Sequence, residues 1–445
     1  MTQRRRMQMV TAAVASTAVM AGWAAWGPER GAAVLPSEPH ELAALAVSED
    51  PVVAAAAATT LRSMGASGLD AVLAAHATDV RALRVGTADR EAPGVGRLRS
   101  AIDTVAAQRD AHASGLYWHT DLELAKAEAR RRGRPILSLR LLGRLDEELS
   151  CANSRLFRTV LYPDPGVGSL LRDRFVLHWS SERPAPKVTI DMGDGRTITR
   201  TITGNSVHYV LDAQGRPVDA LPGLYTPREF ERALRLADRT ATGCGARDDG
   251  GFRACVADAH RMALTAQQRR WETLRTASAG SVSLPPSVAS LSLVASRVPG
   301  AGERPLPAID VDRLTISKSG IERPMLRAMQ REVADEQPVA RWWTAAGATL
   351  ARDASLSAPS RALLRFKTPD GDHAAIEAQL TRDAAEDSAR NEYVLHRRVH
   401  EHFASTGDRS FASVNGWVYA TLFLTPAEDP WLGLRDSATY DAIER

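Results

Sequence analysis

The sequence has few of the residues on which several common functions depend. Only three of its 445 residues are cysteines, and these form no Cys-x-x-Cys pair. A structural zinc site needs four ligands, so such a site has no cysteine framework here. The 56 basic residues, nearly all arginine, face 53 acidic residues, which leaves a net charge of +3. Because nucleic-acid binding needs a basic excess gathered on one face, nucleic acid is excluded as an expected partner.

Two catalytic motifs are also missing. The chain has no Gly-x-x-x-x-Gly-Lys loop for nucleotide phosphates and no Gly-x-Ser-x-Gly elbow for a serine nucleophile. Nucleotide hydrolysis and serine hydrolysis therefore have no motif support, and we predict no cofactor. With 44% hydrophobic and 24% charged residues, the composition is that of a globular protein. The length corresponds to several domains at ~150 residues each.

The N-terminus has the layout of an export signal. Arginines at positions 4–6 precede an apolar run from Val10 to Trp26, which Gly27 and Pro28 end. We expect residues 1–33 to act as an export signal. The run is at the short edge of the ~20 residues that a spanning helix needs, so cleavage and retention as an anchor both remain open. The prediction is a periplasmic or secreted protein, which residues 10–26 anchor to the inner membrane if the segment is not cleaved; this segment is then its only expected membrane contact.

Helical and strand patterns divide the rest of the chain. The expected regions are a helical region (36–112), an α/β domain (114–240), a segment with a cysteine loop, a helix and a Pro/Ser/Gly-rich linker (241–307), and a helical C-terminal region (308–445). In the α/β domain, strands are predicted over Pro135–Leu142, Phe175–Trp179 and Asn205–Leu211, and a separate hairpin turns at Gly193-Asp194-Gly195. A helix is predicted over Arg228–Leu236, and a long one over Ala374–Phe403.

The segment from Trp118 to Leu234 is predicted to contain, in order, a helix, a strand, a cysteine-bearing helix, a second strand, then a final hairpin and a closing helix. This order of elements resembles that of the thioredoxin-like fold superfamily, in particular of its exported bacterial members. Gly215-Arg216-Pro217 matches the turn of that hairpin. The resemblance implies an α/β fold class, with a thioredoxin-like central domain flanked by mainly helical N- and C-terminal regions.

The residues at the family's active-site positions depart from its pattern. The Cys-x-x-Cys motif is replaced by Cys151-Ala152-Asn153-Ser154, so the resolving thiol is absent. Ser206 stands where the family has a cis-proline. The candidate catalytic residues are thus Cys151, Ser154 and Ser206. We expect a non-catalytic binding or scaffolding module; the alternative is a monothiol protein that exchanges disulfides through Cys151, an oxidoreductase or isomerase. Either function implies another exported protein as the partner.

Two further groups of residues lie outside this motif. Cys244 and Cys255 flank a Gly-rich sequence that we expect to be a flexible loop, and an oxidising compartment then predicts a disulfide between them. Glu392, His396 and His400 recur every four residues, with His402 close by. This spacing puts an imidazole pair on one helix face, but it is not the His-Glu-x-x-His of metalloproteases. We predict a solvated helix with Glu–His pairing and no bound metal.

Overall fold

The chain folds as a mixed α/β structure that is mainly helical, with a small four-stranded mixed sheet. The computed structural model describes residues 35–201, 204–278, 345–351, 354–405, 409–430 and 432. The described residues from Ser37 onward belong to one compact unit. The predicted export segment and most of the predicted linker lie outside the described residues. None of the helices in the described ranges has the length and apolar character that crossing a bilayer requires.

Six short helices form the N-terminal region. They are α1 (Pro39–Leu45), α2 (Pro51–Ser63), α3 (Ala66–Ala75), α4 (Ala77–Val85), α5 (Pro93–Ala106) and α6 (Ala111–Ser114). The Asp50 carboxylate caps α2 by accepting from the Val52 amide at 2.9 Å. Gly65 separates α2 from α3 with a φ of 74°, a left-handed conformation that favours glycine. Arg62 donates to the carbonyl oxygens of Val105 and Trp118, which ties α2 to α5 and to the start of the α/β domain.

The sheet has the strand order β2-β1-β5-β6. Its strands are β1 (Ile136–Leu142), β2 (Val176–Arg183), β5 (Ser206–Leu211) and β6 (Pro217–Pro222), and β3 (Lys187–Asp191) and β4 (Thr197–Thr201) form a separate hairpin. β1 pairs in parallel with β2 and antiparallel with β5, and β6 pairs antiparallel with β5. Leu139 lies opposite Trp179 on one side and His208 on the other. Every residue of β5 and β6 is buried, so both faces of this part of the sheet are covered.

Helices before and between the strands complete the α/β part. They are α7 (Leu122–Arg132), α8 (Ala152–Leu156), which continues through a π-helical turn at Phe157–Leu161, and α9 (Pro165–Arg174). Asp121 caps α7, and Asp164 caps α9, each through its carboxylate. The Trp118 side chain is fully buried, and its ring contacts the Tyr162 ring in a tilted arrangement, with the ring centroids 5.3 Å apart.

Two helices follow the sheet, and the first is longer than the sequence pattern predicts. Instead of ending near Leu236, α10 spans Pro227–Cys244, because its apolar face continues through Ala237 and Ala241 to Cys244. Helix α11 spans Asp249–Ser278. Cys244 and Cys255 form a disulfide with their Cα atoms 5.7 Å apart. The expectation of a flexible loop between them is wrong, since only residues 245–248 lie outside the two helices.

The C-terminal region is helical and shares its hydrophobic core with the sheet. Residues 345–351 are helical, followed by α12 (Ala358–Lys367), α13 (His373–Arg390), α14 (Arg397–Ala404) and α15 (Phe411–Trp417). A π-helical turn at Asn391–His396 interrupts the long predicted helix, and a second one, Val418–Leu422, extends α15. Both π-helical turns carry buried side chains, including His396, Tyr419 and Leu422. This region therefore contributes to the surroundings of Cys151 and supplies the buried residues His396 and His400.

Candidate functional site

Cys151 lies at the N-cap of α8, directly after the loop that follows β1. Its amide donates to the Leu142 carbonyl oxygen at 3.2 Å, which holds the start of α8 against the end of the strand. Its thiol lies 3.8 Å from the hydroxyl oxygen of Ser206, the first residue of β5. The structure thus brings Cys151 and Ser206 together, although 55 positions separate them in sequence.

Ser154 lies one turn into α8, but its hydroxyl is engaged away from the sulfur. It donates to the Cys151 carbonyl oxygen at 2.9 Å and shares a short hydrogen bond with the Ser150 hydroxyl. Asn153 and Arg158 complete a buried polar group here: Asn153 donates to the Gly204 carbonyl oxygen, and Arg158 donates to the Ser154 carbonyl oxygen at 3.3 Å. These contacts hold α8 against the loop before β5.

The Cys151 side chain is completely buried, with 0% of its surface exposed. It belongs to the same hydrophobic core as Val414, Val418 and Leu422 of the C-terminal region. That region is fastened to the sheet by polar contacts: the Tyr209 hydroxyl donates to Asn415 Oδ1 at 3.0 Å, and Asn205 Nδ2 donates to the Thr425 hydroxyl at 3.2 Å. Arg183 donates to three backbone carbonyl oxygens between Thr425 and Asp429. The thiol is therefore enclosed in the hydrophobic core.

A second buried polar group forms where α11 and α14 meet β6. His396 lies between two carboxylates, with Nε2 3.0 Å from Asp219 Oδ1 and Nδ1 3.3 Å from Glu392 Oε2. Burial lowers the His396 pKa, but the two carboxylates outweigh it and raise the value to about 9. Glu392 also pairs with Arg232 at 2.8 Å and with Arg270. Its pKa is held well below the ordinary range, because these cations oppose the effect of burial.

His260 and His400 form a histidine pair beside Asp219. Their Nδ1 atoms are 2.7 Å apart, and His260 Nε2 lies 2.8 Å from the Val218 carbonyl oxygen. A carbonyl oxygen only accepts, so His260 Nε2 carries the hydrogen and its Nδ1 accepts from His400 in the neutral ring. Burial is the largest cause that lowers the pKa of both histidines, which favours neutral rings. The His260 ring stacks on Phe403, with centroids 4.7 Å apart.

The structure corrects the prediction of a solvated Glu–His helix face. Glu392, His396 and His400 are 2–3% exposed, because this face of the helix packs against β6 and α11 rather than against water. The Glu392–His396 pairing is present, but it is a buried contact. His402 is not part of the group: its ring stacks on Trp417, with centroids 4.0 Å apart and planes 13° apart.

Asp219 and His260 are absent from the set of sequence candidates, yet they complete this group. Asp219 carried one signal in the sequence, since it is an acidic residue inside the apolar strand Pro-Val-Asp-Ala-Leu-Pro. A buried acid without a partner costs several kcal/mol, so such a residue implies a basic partner elsewhere in the chain. His260 carried no comparable signal, because one histidine in a long amphipathic helix is ordinary.

No family model, curated protein or solved structure matched the chain. The assignment of function therefore depends on the geometry of these two buried groups and on the sequence patterns.

Proposed function

We propose that the protein is an exported, thioredoxin-fold protein whose central domain acts as a non-catalytic binding or scaffolding module for another exported protein. The observation that carries this proposal is the complete burial of Cys151. A nucleophilic thiol must reach the disulfide of its partner, and reactive cysteines lie in partly exposed surroundings, whereas buried ones are usually inert. Without access to solvent or a resolving thiol, Cys151 is suited to packing rather than to turnover.

The order of elements along the chain supports the thioredoxin-like part of the proposal. Helix α7, β1, α8, β2, the β5–β6 hairpin and α10 follow one another as in the sequence resemblance, with α9 and the β3–β4 hairpin as additions. Cys151 opens the helix after the first strand, and Ser206 opens the strand that pairs beside it. These are the positions at which the resemblance places the family's thiol and cis-proline.

Export is supported by the basic, apolar N-terminal sequence and agrees with the Cys244–Cys255 disulfide, a bond that persists in oxidising compartments. The test is a fusion of residues 1–40 to a reporter that is active only outside the cytoplasm. Replacing the arginines at positions 4–6 with glutamate in the same fusion is the matched control and should reduce reporter activity. A reporter that stays in the cytoplasm in the unchanged fusion would refute export.

The non-catalytic assignment is tested on the one thiol that the structure leaves free among the described residues, Cys151. Iodoacetamide should modify it in the native full-length protein ~100-fold or more slowly than in urea, since reaction requires local opening of the fold. The wild-type protein should also show no reduction of insulin disulfides. Cys151→Ser is the control that assigns any label to this residue. Insulin reduction by the wild-type protein that Cys151→Ser abolishes would overturn the proposal.

The alternative function, a monothiol disulfide-exchange protein, is favoured by one observation: the Cys151 thiol faces Ser206 at 3.8 Å across the position of the family's active site. In that mechanism the Cys151 thiolate attacks a partner disulfide, a new S–S bond forms, and the second partner sulfur leaves as a thiolate. Ser154 cannot attack the mixed disulfide, so the reaction stops there. Trapping such a disulfide in the native compartment, lost in Cys151→Ser, would favour this function over the module.

A further inference from the structure

We propose that Asp219, His260 and His400 form a binding site for one divalent transition-metal ion of the zinc class. The three residues come from three separate elements, β6, α11 and α14. One potential ligand atom from each lies within 4.8 Å of the other two, and all three residues are buried. A metal site requires ligand atoms that converge on one point, and these three residues, which are distant in sequence, meet that condition in the interior.

The chemistry of the three groups suits this class of ion. Two imidazoles and one carboxylate are ligands that zinc accepts, and sites with three protein ligands leave a further position for water or another donor. Imidazole also binds copper and nickel, whereas magnesium and calcium prefer sites made only of oxygen ligands. The His₂Asp set therefore selects borderline transition metals over the hard alkaline-earth ions.

His260 is held in the tautomer that a ligand needs. Its Nε2–H donates to the Val218 carbonyl oxygen at 2.8 Å, so the Nδ1 lone pair points toward His400. A ligating histidine usually donates its other ring nitrogen to a carbonyl or carboxylate, which fixes both the tautomer and the ring orientation. The stacked Phe403 ring restricts His260 further.

The spacing of the ligand atoms is compatible with one ion after a small adjustment. Tetrahedral zinc with bonds of about 2.1 Å places neighbouring ligand atoms ~3.4 Å apart. The His260–His400 nitrogen pair, at 2.7 Å, is closer than this because the two rings share a hydrogen bond. Binding would replace that hydrogen bond: His260 Nδ1 gives its lone pair to the ion, and His400 changes its tautomer or turns its ring to offer a nitrogen.

A second layer of contacts orients the carboxylate. Asp219 Oδ1 lies 3.0 Å from His396 Nε2 and accepts from the Ala220 amide at 2.8 Å. His396 is held in turn by Glu392. Partners of this kind commonly change metal affinity by ~10–100-fold when they are replaced. His396 is therefore a positioning residue in the proposal, and its replacement should weaken binding without abolishing it.

The experiment measures metal binding by full-length protein prepared without a histidine tag and treated with a chelator. Cobalt(II) is titrated first, because a site containing imidazole gives visible absorption bands that report coordination, and zinc is then used to displace it. We expect one equivalent of cobalt, displaced by one equivalent of zinc. Elemental analysis after dialysis against buffered zinc provides the second measurement.

Four single variants separate the roles of the histidines. His260→Asn and His400→Asn should lose stoichiometric binding, and His396→Asn should bind ~10–100-fold more weakly. His402→Asn is the matched control on the same helix and should bind like the wild type, since His402 stacks on Trp417 instead. Circular dichroism establishes that each variant is folded. Failure of the wild-type protein to bind cobalt or zinc stoichiometrically would overturn the proposal, as would full binding by folded His260→Asn and His400→Asn. If those variants do not fold, the wild-type titration alone decides.

Discussion

The two buried polar groups differ in what holds them together. Around Cys151 the polar contacts join hydroxyl, amide and backbone groups of α8 to Ser206 and to the loop before β5, and apolar side chains of the C-terminal region close the group. The second group, the histidine cluster, instead consists of charged and titratable side chains from five elements: β6, α10, α11, the π-helical turn Asn391–His396 and α14. The C-terminal region contributes to both groups: it supplies apolar cover to the first, and Glu392, His396 and His400 to the second.

This difference shows that a sequence motif does not by itself establish a functional site. Cys151 has the stronger sequence signal, and its surroundings leave the thiol enclosed. The helix face with Glu392 and His400 has the weaker sequence signal. The fold brings Asp219 and His260 to this face, and with His400 they form the proposed metal site. If the comparison holds, substitutions in the cluster should cost at least as much stability as substitutions near Cys151, because breaking a buried ion pair costs about 3–5 kcal/mol and truncating a buried leucine about 2–5 kcal/mol.

The largest effect is expected from Glu392→Gln. This change leaves Arg232, Arg270 and His396 without the carboxylate that they surround. Breaking a buried ion pair by removing one partner costs about 3–5 kcal/mol, so the free energy of unfolding in urea should fall by that amount. The matched control is Glu401→Gln in α14, which breaks the pair with Arg397; the Glu401 side chain is 39% exposed, so the change should cost about 0–1 kcal/mol. Equal costs for the two changes would break the comparison.

A smaller loss of stability, with a distinct chemical consequence, is expected from Leu422→Ala. Leu422 is fully buried in the core that also contains Cys151. Truncating a buried leucine costs about 2–5 kcal/mol, and the cavity should let iodoacetamide reach Cys151 more quickly. Leu124→Ala is the control, because Leu124 is 63% exposed. If Leu422→Ala destabilises the protein but leaves alkylation unchanged, the C-terminal region is not what encloses the thiol.

The disulfide between α10 and α11 allows a test of stability that changes no residue of either buried polar group. In the chain-entropy model, closing a loop this short contributes ~2–3 kcal/mol by restricting the unfolded chain. A Cys244→Ser, Cys255→Ser double variant should therefore unfold at lower urea concentration than the wild type, with Cys151 alkylation unaffected. Non-reducing peptide mapping of exported protein tests the bond directly, and finding both thiols free would contradict the structure.

Much of the sheet could be predicted from the sequence because short apolar runs and turn residues mark the strands locally. The predicted strand Asn205–Leu211 corresponds to Ser206–Leu211, and Pro135–Leu142 corresponds to Ile136–Leu142. Helix ends were harder to predict. Helix α10 packs against the sheet and α9 and continues to Gly245, its C-cap, well beyond the predicted end at Leu236. The π-helical turn Asn391–His396 has no sequence signal of the kind that a glycine or a proline gives.

The site was predictable only in part, for a physical reason. Spacings of four residues place Glu392, His396 and His400 on one face of a helix, but they do not say whether that face meets water or the core. That depends on β6 and α11, which lie more than a hundred residues earlier in the chain. Asp219 and His260 could be assigned to the group only once the tertiary contacts were known.

The smallest expected effect concerns a neutral histidine in β5, the strand that begins with Ser206, and it contrasts with the charged cluster. His208 is fully buried in β5, its Nε2 lies 2.8 Å from the Tyr162 hydroxyl, and burial lowers its pKa to about 3. The unfolded chain takes up this proton near pH 6.5, whereas the folded protein does not, so the stability is present above pH 6.5 and lost as the pH falls toward 3.

One such histidine adds about 1.4 kcal/mol per pH unit to the dependence of unfolding free energy on pH within that window. His208→Phe should reduce the slope between pH 5.5 and 4.5 by roughly this amount, measured by urea unfolding at each pH. Tyr162→Phe removes the same hydrogen bond but keeps the histidine, so its slope should match that of the wild type. If Tyr162→Phe changes the slope and His208→Phe does not, protonation of His208 is not the cause of the pH dependence. Acid then destabilises this part of the core through another group.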